Sequence, residues 1–173
     1  MKHEHEFPVS AIIERDEIQH GQWRVPRWRL VNFIAGEALE RDGARAQLIR
    51  SEAGREQWLW TGFRLRLYRD SAESYWYNLV GKSPSLFLIC QHDPDGKLVP
   101  FGVSANYAEA GAHLEADDEV FSAPIPPEIH RWLEEYVMDN YSPEPRKQRK
   151  RKNWTKEADE HGQRPQPRAP RRH

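Results

Sequence analysis

Cysteine is almost absent: Cys90 is the single one in 173 residues. One thiol cannot build an internal disulfide framework or a cysteine-based zinc site. Long apolar runs are missing too. No stretch approaches the roughly 18 apolar residues of a membrane span. The opening Met1-Lys2-His3-Glu4-His5-Glu6 is charged and no apolar segment follows it, so a secretory signal is not expected. The chain reads as soluble and cytoplasmic. A phosphate-cradling glycine loop, a nucleophile elbow and a zinc-protease pattern are all lacking. No catalytic residue and no cofactor are therefore expected.

The polarity that is present is unevenly spread. Hydrophobic residues make up 38%, charged residues 31%, and mean hydropathy is -0.93. Yet residues 1–141 hold six of the seven tryptophans and all six each of tyrosine and phenylalanine, enough for a core. The net charge of -1 conceals an asymmetry, because residues 142–173 carry 11 Lys+Arg against 4 Asp+Glu. The tail is thus +7 and the body -8. Such a tail can attract the body, an acidic partner, a nucleic acid or an anionic membrane. Residues 1–6 are expected to be flexible, 7–141 to form one β domain, and 142–173 to be a basic, Pro-rich, disordered tail.

Several segments read as strands. Phe7–Ile13 is a first or edge strand. Trp23–Phe33 is a long one that Pro26 assigns to an edge or a bulge. Without a bulge, Trp23 and Trp28 face opposite sides. Glu56–Thr61 and Phe63–Arg69 suggest a hairpin turning at Thr61-Gly62. Glu73–Val80 alternates Tyr75, Tyr77 and Leu79. Leu86–Cys90 is uniformly apolar, as in a central strand, and the Asp93-Pro94-Asp95-Gly96 turn leads to Leu98–Ser104. Asn106–Glu115 suggests one or two helical turns capped by Asn106. Glu119–Ala123 suggests a last strand. Ile129, Trp132, Leu133, Tyr136 and Val137 then recur on one helical face, with Pro127 at its start and Tyr141 near its end. The fold class is mainly β (α+β): a small antiparallel sandwich or partly open barrel, pleckstrin-homology-like in element order, with one C-terminal amphipathic helix.

Few residues suggest chemistry. His3 and His5 share a strand face but fall short of a ligand set, so no metal site is expected. Cys90 and His92 admit a nucleophile and its base, or a buried thiol beside a strand-end histidine; the second is favoured. Glu115, Asp117, Asp118 and Glu119 form an acidic run that a cation, the basic tail or solvent alone could meet. Trp23, Trp28, Trp58, Trp60, Tyr75, Trp76 and Tyr77 exceed what a small core usually needs; most are expected to pack the core and one or two to reach the surface. Trp23, Trp28, Trp58, Trp60 and Trp76 are the candidate contacts for a protein partner. Arg146, Lys147, Arg149, Lys150, Arg151 and Lys152 could contact nucleic-acid phosphates, dock on an acidic protein or only solubilise. Trp154 follows this block alone, which argues against a stacking mode for single strands.

Two segments carry a resemblance. Phe7–Arg15 followed by Gln22-Trp23-Arg24-Val25-Pro26-Arg27-Trp28, and Glu119–Pro127 followed by the Trp132 helix and the basic block, resemble the bacterial domain of unknown function 3305. The resemblance spans roughly residues 7–152 and supplies no catalytic residues. Members are often encoded beside molybdenum- or tungsten-dependent formate dehydrogenases and their maturation factors. It therefore implies a non-catalytic accessory role in assembling or maturing such an enzyme, with one of its subunits or maturation factors as partner. The alternative is a nucleic-acid-binding regulator acting through the tail. Here Ser142-Pro143-Glu144-Pro145 separates helix from basic block, where the family usually joins them closely.

Overall fold

A computed structural model describes residues 5–36 and 45–144. Its strands are β1 (Glu6–His20), β2 (Trp23–Ala35), β3 (Arg45–Glu52), β4 (Arg55–Arg66), β5 (Ser85–His92), β6 (Leu98–Ser104) and β7 (Glu119–Pro124). The helices are α1 (Ala72–Val80), α2 (Tyr107–Glu115) and α3 (Pro127–Asn140). A single 3-10 turn, Arg69–Ser71, leads into α1.

The chain is mainly β, as its composition and alternation predict. Two antiparallel sheets form, in the orders β2-β1-β4-β3 and β6-β5-β7, and neither closes into a barrel. Both feed one core. Val9, Ala11 and Ile13 of β1 meet Phe63 and Leu65 of β4, while Leu86, Leu88 and Cys90 come from β5. Ile129, Leu133, Tyr136 and Val137 of α3 complete it, on the helical face expected. β5 is central in its sheet, with Leu86, Leu88 and Cys90 in the shared core and Phe87 on its other face meeting Tyr107 of α2, so its residues from Leu86 to Cys90 are buried on both faces.

Local chemistry accounts for several boundaries. The Asn106 side chain accepts the Ala108 and Glu109 amides at 2.9 and 3.4 Å and starts α2. Pro127 occupies the first position of α3, where a missing N–H costs nothing. Pro26 lies in β2, an edge strand, without breaking register. Trp23 and Trp28 therefore do face opposite sides.

Four expectations need correction. Residues 73–80 form a helix in place of a strand. Tyr75, Trp76 and Tyr77 favour strands by type, but Ala72, Tyr75, Trp76 and Leu79 fall at helical spacing and turn a common face inward. Thr61-Gly62 is a bulge in the continuous β4 and not a turn. Ser10 faces both residues, and Gly62 takes φ +90°, which glycine tolerates. The real hairpin turn is Ala53-Gly54, which follows the unanticipated β3; all eight residues of β3 are exposed, so no inward-facing pattern marks it. Finally, three helices are described where two helical segments were expected, α2 and α3 at those places and α1 in addition.

Asn78 ties α1 to the second sheet. Its amide donates to the carbonyls of Ser85 and Ala105 at 2.8 and 3.0 Å, and its oxygen accepts the Ser85 N–H at 3.1 Å. Asn78→Ala strands three backbone groups in a half-buried place and is expected to cost about 2–3 kcal/mol. Asn78→Asp should cost at least as much at neutral pH, because a carboxylate cannot donate. Urea unfolding of both variants checks this, and losses within about 0.5 kcal/mol of wild type would refute the clamp.

Candidate functional site

The four-stranded sheet is longer than the core beneath it. Pairing of β1 with β4 stops at Arg15 opposite Glu56. Beyond it β1 and β2 run on to His20 opposite Trp23, and β3 and β4 to Glu52 opposite Arg55. Two hairpin ends thus project and part. Asp16, Glu17, Gln19, Arg24 and Arg27 line one side of the cleft between them. Ala53, Gly54 and Arg55 line the other, enclosing about 480 Å³. Ala53 and Gly54 both take positive φ, +47° and +79°, as a tight two-residue hairpin turn requires.

Register fixes what each face of this projection displays. Paired residues share a face. One face carries the row Arg29, Glu14, Gln57 and Arg50 across all four strands. Arg29 donates to Glu14 at 2.7 Å and Gln57 donates to its other oxygen at 2.9 Å. In the next row Arg27 grips Asp16 with two bonds, at 2.9 and 2.5 Å. Both acids are only 7–8% exposed, lying beneath arginines whose own side chains are more than half exposed. The Gln57 hydrogen bond, with Arg29 nearby, lowers the Glu14 pKa despite the opposing effect of burial. The Arg27 hydrogen bonds do the same for Asp16, and Arg55 adds a longer-range pull on both.

The opposite face is aromatic. Its rows run Trp28, Arg15, Glu56, Ser51, then Leu30, Ile13, Trp58, Leu48, then Phe33, Ala11, Trp60, Ala46. The Arg15 guanidinium lies 5.6 Å from the Trp28 ring centre, within cation–π range. Trp28 and Trp60 pack against the core. Leu48 is 44% exposed and Trp58 half-buried, so among the described residues this face runs outward from the core without a cover.

The family model described as Protein of unknown function (DUF3305) matches residues 8–151. The chain belongs to this family. No curated protein and no solved structure matches the chain. In this DUF3305 member the candidate tryptophans separate into groups. Trp28, Trp58 and Trp60 share the aromatic face. Trp23 sits on the other face at the hairpin end, 75% exposed. Trp76 belongs to α1, where it meets Tyr77 and Tyr141 edgewise or tilted. Arg146, Lys147, Arg149, Lys150, Arg151 and Lys152 lie outside the described residues, as do His3 and Trp154.

The remaining candidates are engaged otherwise. Cys90 is fully buried, and burial pushes its thiol up to about 12, so no thiolate is at hand near neutral pH. His92 points to Glu119 at 2.6 Å, with the Gly96 carbonyl at 3.3 Å from its other nitrogen. Asp118 faces His113 at 2.8 Å and accepts from Gln91 at 3.1 Å. Half of the acidic run is therefore paired within the fold. His5 stacks edge-on against Tyr136. Among the described residues no group of three or more His, Cys, Asp or Glu is placed to hold a metal, and no helix is long and apolar enough to cross a membrane.

Sequence reading missed the arginine face. Its signal lay in Glu14-x-Asp16 and Arg27-x-Arg29, opposite charges at strand spacing on two neighbouring strands.

Two outcomes follow. The Glu14 and Asp16 carboxyls titrate below their unfolded values, so their stabilisation is full at neutral pH. It is lost as pH falls through the lowered folded-state values. Urea midpoints taken from about pH 7 down to about pH 3 should fall more steeply for wild type than for Glu14→Gln/Asp16→Asn. Equal slopes would refute that assignment. Separately, Cys90 in the native chain should resist a thiol reagent at mildly alkaline pH and react fully once the chain is unfolded in urea.

Proposed function

We propose that the chain is a non-catalytic accessory protein that binds a partner through the projecting end of its four-stranded sheet. The partner proposed is a subunit or maturation factor of a molybdenum- or tungsten-dependent formate dehydrogenase, met in the cytoplasm. One observation carries the binding reading: this end keeps both faces open and arrays tryptophan and arginine on a frame fixed by ion pairs. Trp and Arg are the residue types that dominate binding energy at protein interfaces. The frame is set before any partner arrives, which reduces the ordering cost of association. The formate dehydrogenase half rests on the family's usual genetic setting, and the binding half does not depend on it.

Trp23 and Trp58 test the reading with little risk to the fold, because neither packs against the core cluster. Affinity capture from the native host should recover a molybdoenzyme subunit or maturation factor with the wild-type chain. Trp23→Ser/Trp58→Ser should reduce recovery at least about tenfold, the effect of losing roughly 1.4 kcal/mol. Capture that reproducibly lacks such proteins refutes the partner. Undiminished recovery by the double variant, with an unchanged melting curve, refutes the surface.

A further inference from the structure

We propose that the cleft between the two hairpin ends is a carboxylate-binding site, in which Arg24 and Arg55 receive acidic side chains of the partner protein. This rests on the binding reading above and names the chemistry the partner must present.

The charges in the cleft are not equivalent. Asp16 is taken by Arg27 through two hydrogen bonds, so neither member is free for a ligand. Arg24 and Arg55 line the same cleft, and among the described residues neither has an ion-pair partner. Two arginines on opposite hairpins line about 480 Å³, room for acidic side chains but not for a folded element. A guanidinium presents a planar fork of donors that matches a carboxylate or phosphate in two parallel bonds. The walls hold their positions. A tight turn fixes Arg55 from one side, and the Arg27–Asp16 grip stiffens the other.

The choice between carboxylate and nucleic-acid phosphate is made by what surrounds the two arginines. A phosphate backbone seeks a continuous positive track, but Asp16 and Glu17 interrupt this one. Among the described residues no aromatic side chain lines the cleft, so bases would find no stacking platform there. All nine basic residues of the four strands are arginine and none is lysine. That bias is the one protein interfaces show, where Arg is enriched and Lys depleted.

The test uses the full chain with 15N-labelled arginine and follows the side-chain Nε–H signals of Arg24 and Arg55, assigned by substitution. The probes are a hexaglutamate peptide, inorganic phosphate and a single-stranded DNA hexamer. Saturable shifts at both arginines with the peptide, and at least about tenfold weaker response to the other two, support the site. No response to the peptide, or an equal response to all three, overturns it. In host capture, Arg24→Gln/Arg55→Gln should cut partner recovery about tenfold. If recovery persists in that variant but falls in Trp23→Ser/Trp58→Ser, the cleft proposal fails and the binding reading stands. If no chain captures a partner, the binding reading fails by itself, and the titration still decides the cleft.

Discussion

Glu14 pins the four-stranded sheet. It lies on the central strand β1 and is held from both sides, by Arg29 of β2 and Gln57 of β4. Where the apolar core gives out, this row and the Arg27–Asp16 pair beyond it add side-chain bonds to the backbone ladder. Removing one partner of such a shielded charge leaves the other uncompensated, which is costlier than losing the contact alone. Everything farther out depends on this row being in register. A slip by one residue would exchange the two faces, bringing the tryptophans to the arginine side. The bulges at Gly62, Val31 and Ile49 oppose such a slip, since each fits only one alignment.

The -8 body turns out to be polarised. Strands β1 to β4 carry nine arginines against six acids. Residues 67–144 carry four Lys+Arg against fourteen Asp+Glu. An acidic partner of the kind proposed would be repelled from the second sheet and its helices and drawn toward the hairpins. Such a field orients encounter before any contact forms, and its reach shrinks with salt. In the proposed complex the tryptophans would supply area where the field had brought the partner.

How much of this was legible in the sequence varied with the physics that decided each element. Strands β1, β2, β5, β6 and β7 and helix α3 were readable because periodicity or turn chemistry marked them. α1 was misread because three adjacent aromatics suggest a strand by type, while the core demanded a helix. β3 left no trace because, exposed throughout, it lacks an inward face to impose a pattern. The tryptophans were singled out by residue type alone, and only register could show that Trp28, Trp58 and Trp60 group together and Trp23 opposes them. The cleft was invisible, for it joins Arg24 to Arg55 across a gap that no local spacing encodes.

Pro26 has a consequence for the two margins of this sheet. A proline stays in a ladder only with its nitrogen turned away from its neighbour, so the outer side of β2 lacks a donor midway along. β3, the opposite margin, carries no proline. Another strand can therefore add to the β3 side far more readily than to the β2 side. Stacking by sheet edges would stop at a pair, since a copy joined through β3 offers only its proline-blocked margin to the next. A long sheet whose hairpin ends stand clear of the core is the kind of structure that invites fibre growth, and one ring in the backbone caps that growth at one end.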